Sequence, residues 1–300
     1  DHGDIVKLRD IGPQDAWGYY DWRRRTASAP PAITTLRNET AIIKACVRYL
    51  NEIKETDLES LKFPRLQAYD HNDARINCPS KDEFKLIMMV IDHRCHEQDI
   101  SHAEYVNRTL LKYFVLICAK TGMRTGELRQ LRWDDVSIYV GKKGNEYVKI
   151  NVRANTSKVR SSRTVTSICV PEILSLKDFT TAEGYLFSVA NKGKQHVSRH
   201  WLSKNWNSMK ATISPAYLEP GRRSILKPYC LRHWFITERI NAGKAPSIIA
   251  KLCGTSPQEI YSTYHHLFDS EREDAVEGGS YRSDPHNYSE DVFDDYDGVM

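Results

Sequence analysis

A chain of 300 residues with 40% hydrophobic and 27% charged content is long enough for two domains, each with its own core. No run of roughly eighteen apolar residues offers a membrane span, residues 1–10 lack the apolar stretch of a secretory signal, and seven scattered cysteines without CxxC pairs exclude a disulfide frame, so the expected setting is intracellular. The net charge of +4 hides a balance of −8 over residues 271–300, which leaves residues 1–270 at +12, a body suited to a polyanionic partner.

Residues 7–68 read as helical. A helix opens at Asp10-Ile11-Gly12-Pro13 and runs through Trp17, Tyr20 and Trp22. A longer one extends from about Leu36 to Ile53, with Ile42, Ile43, Cys46, Val47 and Leu50 on one face. Between them Arg23, Arg24 and Arg25 precede Thr26-Ala27-Ser28-Ala29-Pro30-Pro31 as a basic turn, suited equally to phosphate contact and to a solvated loop. Residues 69–79 are polar and without pattern, as a linker is.

Ser80-Lys81-Asp82-Glu83 is a capping box and opens a core helix with Phe84, Ile87, Met88, Val90 and Ile91. His93, Cys95 and His96 within it lack the further ligands that a zinc site needs. A second buried helix runs from Tyr105 to Lys120. It leads into Thr121–Val136, where Gly122 permits a sharp turn, Thr125 caps the next helix, Leu128 and Leu131 point inward, and Arg124 sits at the helix–turn junction. Strand-like runs follow at 136–140, 147–152 and 163–170 and make a small antiparallel sheet, whose connections carry Lys142, Lys143 and Lys158. Residues 171–226 show apolar anchors at Phe187 and around Trp201 and Trp206, and no chemistry.

The stretch Lys227–Leu267 holds three short helices. Arg232 lies on an apolar run of Leu231, Trp234, Phe235, Ile236 and Ile240 that Gly243 ends, and a charge on a core helix needs a partner. Pro246 opens the second helix, with Ile248, Ile249 and Leu252 inward and Gly254 as its stop. Ser256-Pro257-Gln258-Glu259 opens the third, which carries Ile260, Tyr261, Tyr264 and Leu267. A lone tyrosine at such spacing is ordinarily a half-buried core residue.

Tyr264 is not alone. The string TGMRTGELRQLRWDD at 121–135 closely resembles the first-arginine motif of the tyrosine recombinases, TGxRxxELxxLxWxD. Arg232, Gly254 and Tyr264 resemble the C-terminal signature of the same phage-integrase family. The resemblance implies a mainly α fold with a small antiparallel sheet: a helical core-binding domain at 1–68 that clamps DNA, a linker at 69–79, an α+β catalytic domain at 80–270 and an acidic tail at 271–300. The first domain is short at its front, so a first helix is expected ahead of this sequence.

By the same resemblance Arg124 and Arg232 are the catalytic arginines, Glu127 a supporting carboxylate, Lys158 the general acid and Tyr264 the nucleophile. Tyr229 and Thr255 stand where the family usually has histidine, and histidine or tryptophan, and they put turnover in doubt rather than fold. His233 and His265 lie close by in sequence as possible stand-ins. Arg23, Arg24, Arg25, Lys142 and Lys143 are the candidate contacts to the DNA backbone. Two forked, permanently charged guanidinium groups suit the charge that builds on a phosphodiester under attack, and the family's covalent tyrosine makes nucleotide and metal unnecessary, so neither cofactor nor metal is expected.

The implied partners are double-stranded DNA, further copies of the chain in a tetramer, and accessory DNA-bending proteins; residues 271–300 either pack in trans on a neighbouring copy or form a disordered acidic tail that lowers non-specific DNA binding. The implied setting is the cytoplasm or nucleoid of a prokaryote, or the host cell of a virus or mobile element. A type IB topoisomerase shares the arginine, lysine and tyrosine logic, but the short motif around Arg124 is integrase-like. A relative that binds its site without cutting it is the non-enzymatic alternative that Tyr229 and Thr255 raise.

Overall fold

In the computed structural model, which describes residues 10–66, 78–158, 160–177, 179–180, 183–189 and 194–268, the capping signals and apolar periods become helices grouped in two compact units, 1–71 and 72–300. Most of the expected linker and all of the acidic tail lie outside the described residues.

In the first unit, helix α1 (Tyr19–Thr26) is shorter than expected, and Arg23, Arg24 and Arg25 form its last turn instead of a turn between helices. The Ala27 N–H still reaches the Arg23 carbonyl before Pro30 and Pro31 end the run, and cations at a helix C-terminus are favourable. Helix α2 (Ile33–Glu52) buries Leu36 and Thr40 and half-buries Ile43, Val47 and Leu50. Ile42 and Cys46 are exposed, because 100° per residue carries them off that stripe, so the apolar face is narrower than expected. Tyr20 is buried against the stripe and its hydroxyl meets Thr40 Oγ1 at 3.1 Å.

The second unit is built on a buried helix. Ser80 and Glu83 exchange the two hydrogen bonds of the capping box at the start of α3 (Lys81–Cys95). Ser101 and Glu104 do the same for α4, so that helix begins at His102 rather than Tyr105 and runs to Thr121. Along α4 Leu110, Phe114 and Ile117 are fully buried, each side chain contributing about 1.5–3 kcal/mol by burial. Around it lie α3, α6 (Val170–Leu176), α7 (Arg199–Thr212) and α9 (Cys230–Asn241). Phe84 stacks on Trp234 at 4.5 Å, and Phe114 meets Phe187 edge-on at 5.0 Å.

Strands β1 (Val136–Val140), β2 (Glu146–Val152) and β3 (Arg163–Ser167) form an antiparallel sheet in that order, with Ile138 opposite Val148 and Ile150 opposite Val165. Val148, Ile150, Val152 and Val165 are buried, while the edge strand β1 is mostly exposed. Strand β3 stops short of the expected Val170 because Val170-Pro171 opens α6.

Helix α5 (Thr125–Arg129) follows α4 directly, and α8 (Arg222–Ile225) precedes α9. Helices α10 (Pro246–Cys253) and α11 (Pro257–Tyr264) pack with α9 around a second, smaller core of Phe235, Ile236, Ile240, Ile249, Cys253, Ile260 and Tyr264. Helix α11 closes at Tyr264, where the chain tightens into a 3-10 turn at His265–Leu267 and leaves Leu267 beyond the helix. Among the described residues no helix is long and apolar enough to cross a membrane.

Candidate active site

Arg124 is placed by a glycine and a glutamate. Gly122 ends α4 with φ 62°, and a Cβ there would stand 2.3 Å from the Phe235 ring, so the turn requires glycine on both counts. The chain then extends through Arg124, which occupies the N-cap of α5 itself, the position expected for Thr125. Glu127, three residues on, returns its carboxylate to the Arg124 N–H at 3.1 Å and to Arg124 Nη1 at 3.2 Å. Arg163, the first residue of β3, approaches from the other side and donates through Nη1 and Nη2 to the two Glu127 oxygens at 3.0 and 2.6 Å. Burial alone would raise the Glu127 carboxyl, but Arg163 and then Arg124 hold it below the usual carboxylate range.

The C-terminal end of α10 gathers the arginines. Helix ends present carbonyls without helical partners and carry partial negative charge. Here Arg163 Nε donates to Leu252 O at 3.3 Å, Arg232 Nη1 to Cys253 O at 2.7 Å and Arg124 Nη2 to Gly254 O at 2.8 Å. Three guanidinium groups thus hold three successive carbonyls of one turn. Gly254 has φ 64°, and a Cβ on it would meet the Arg163 guanidinium at 2.6 Å. Arg232, 3% exposed, also donates to Gly122 O at 2.8 Å. Among the described residues Arg124 and Arg163 share Glu127, and no carboxylate lies in salt-bridge range of Arg232. A buried cation satisfied by carbonyls alone leaves the site short of negative charge.

Tyr264 is buried beside this group, and its hydroxyl lies 2.6 Å from His233 Nδ1. Burial first, and then the neighbouring Arg232 charge, push the His233 pKa down to about 4, so the ring is neutral at pH 7. The phenol therefore donates, Nδ1 accepts and the ring proton sits on Nε2. Burial raises the phenol of Tyr264, and the Arg232 charge offsets part of that rise. Tyr229, at the N-cap of α9 and 45% exposed, presents its ring edge-on to His233 at 5.1 Å. Thr255 follows the α10 turn, half-buried, with its N–H bonded to Ala250 O.

Lys158 is exposed on the connection between β2 and β3, with no hydrogen bond or ion pair among the described residues. Lys142 and Lys143 are exposed on the turn between β1 and β2. In the first unit Arg23 forks onto Glu39 at 3.0–3.2 Å, Arg24 pairs with Asp21 at 3.6 Å, and Arg25 donates to the Asp21 carbonyl. Among the described residues no cluster of three or more histidine, cysteine or acidic side chains could hold a metal ion.

Arg163 is absent from the sequence-based candidates, although β3 carries one signal for it. Alternation along β3 puts residues 163, 165 and 167 on one face, and with Val165 buried that makes Arg163 an inward charge in want of a partner.

Residues 81–271 match the model of the phage integrase family. The fold is similar to that of the XerH site-specific recombinase in its pre-cleavage complex with difH substrate, with a TM-score of 0.62 at 16% identity over 89% of this chain and 70% of that one. It is also similar to the Tn1549 transposon integrase in complex with circular intermediate DNA, with a TM-score of 0.60 at 13% identity over 92% and 88% of the two chains. A comparison with curated protein sequences gives no match.

Proposed function

The chain belongs to the phage integrase family, the tyrosine recombinases, and from that membership we propose that it is a site-specific recombinase that cuts and rejoins double-stranded DNA through a 3′-phosphotyrosine, in the service of a mobile element. The observation that carries this reading is the buried Arg232, held by two carbonyls without a carboxylate among the described residues, in the same small cluster as Arg124 and the buried Tyr264.

A phosphodiester entering this cluster supplies the missing negative charge. Arg124 and Arg232 keep these carbonyls, offer their remaining N–H groups to the non-bridging phosphate oxygens and stabilise the charge that grows on them as Tyr264 attacks. The oxygen of Tyr264 bonds to phosphorus, the bond to the 5′-oxygen breaks, and Lys158, brought in by the exposed connection it rides on, gives that oxygen its proton. The phosphotyrosine conserves the bond for rejoining to another 5′-hydroxyl. Glu127 keeps Arg124 oriented, while Lys142, Lys143, Arg24 and Arg25 serve the DNA backbone. Recombination between two duplexes calls for four copies on DNA, with accessory proteins bending the DNA. Residues 1–68 act as the clamp and 80–270 as the catalytic domain.

Tyr229 and Thr255 favour one second reading, a family member that binds its site without cutting it. A nicked suicide substrate separates the two. Covalent adduct with the wild-type chain and none with Tyr264→Phe, at similar DNA affinity, is the expected outcome. No adduct from the wild type on its bound site, or an adduct that survives Tyr264→Phe, overturns the enzymatic reading.

A further inference from the structure

The hydrogen bond between His233 and Tyr264 has no part in the roles assigned above, and it engages the atom that reacts. A phenol that attacks phosphorus must present a lone pair and lose its proton. With His233 Nδ1 at 2.6 Å the proton already has an acceptor, so the lone pairs are what the oxygen has left to offer phosphorus. The imidazole is fixed in place between the ring of Tyr229 at 5.1 Å and that of Tyr264 at 5.8 Å.

We propose that His233 is the proton acceptor of Tyr264: its Nδ1 holds the phenolic hydrogen in the resting site and takes it as the oxygen–phosphorus bond forms. The inference rests on the reading of Tyr264 as nucleophile. The step balances without a further reactant. The bond from Tyr264 to phosphorus forms, the bond to the 5′-oxygen breaks, the phenolic proton passes to His233, and the 5′-oxygen receives one from Lys158. In rejoining, the incoming 5′-hydroxyl returns its proton to Lys158, and His233 returns the other to the departing Tyr264.

The charge around the imidazole makes this acceptor depend on substrate. The groups facing it are Arg232 and Tyr229 from α9 and Tyr264 from α11. Burial and the Arg232 charge keep the ring a weak base, so in the absence of DNA the proton stays on Tyr264 and the phenol is a poor nucleophile. A phosphodiester bound to Arg232 offsets that charge and makes the imidazole more basic. Tyr264 is then activated only over a seated phosphate.

Two variants test the proposal on the suicide substrate. His233→Asn places a carbonyl oxygen near the position of Nδ1, so it accepts the hydrogen bond but not the proton; His233→Ala removes both functions. Both are expected to form adduct about a hundredfold or more slowly at unchanged DNA affinity, and imidazole in the buffer should restore part of the rate of His233→Ala. Adduct formation by His233→Asn at the wild-type rate overturns the proposal. So does a slow His233→Ala that binds DNA normally yet gains nothing from imidazole, and if that variant does not fold, His233→Asn decides alone. Adduct in Tyr264→Phe would instead remove the reading on which the inference rests.

Discussion

Two parts of the site place positive charge in opposite ways. Arg124, Arg163 and Arg232 are drawn inside the fold, each tied to a carbonyl at the end of α10 and two of them to Glu127. Lys158 stands exposed on the connection between β2 and β3 without a partner among the described residues. Immobilising a long lysine side chain costs up to about 2 kcal/mol of rotamer entropy, and the same holds for arginine. For the arginines that cost is met when the chain folds, whereas for Lys158, under the proposed function, it falls when DNA binds. Under the proposed function, the difference separates charges aimed before a phosphate arrives from one that the DNA itself would order.

Four substitutions sharpen or break this contrast. Arg232→Ala withdraws a charge aimed at the transition state, and adduct formation should fall by about a thousandfold or more while the DNA dissociation constant rises far less; comparable losses in rate and affinity would mean that the aim of Arg232 does not matter. Lys158→Ala should slow cleavage by about a hundredfold on ordinary DNA and recover on a substrate whose 5′-bridging oxygen is replaced by sulfur, a better leaving group. Failure of the sulfur substrate to rescue would remove Lys158 from the role of acid.

Gly254→Ala strains a left-handed backbone and displaces the Arg163 guanidinium, so thermal unfolding should show a loss of about 1–3 kcal/mol together with slower cleavage. An unchanged melting temperature would show that the turn is not the anchor described. Lys142→Ala should leave the rate at saturating DNA alone and lower the slope of affinity against salt by about one.

Much of this was legible in the sequence, and what escaped is instructive. The segment Thr121–Val136 is readable because a turn glycine and two inward leucines act on near neighbours. Even so, the sequence points to Thr125 as the cap, whereas Arg124 holds that place with Glu127 folded back on it. Arg163 and His233 are defined by partners 36 and 31 residues away. No local period encodes such pairings; only the packing of β3 and of α11 against their neighbours creates them. On α2 the error ran the other way, for Ile42 and Cys46 are apolar but fall off the stripe that Leu36 and Thr40 begin.

The grip of three arginines on Leu252, Cys253 and Gly254 has a consequence for how this site tolerates sequence drift. Carbonyl oxygens come with every residue type, so what orients the guanidinium groups is written in the path of the chain and not in the letters of α10. The side chain that follows, Thr255, can differ in size and chemistry from a histidine or tryptophan without disturbing the arginines. In that turn one letter carries information that no other can, the glycine at 254, whose missing side chain is the space Arg163 fills.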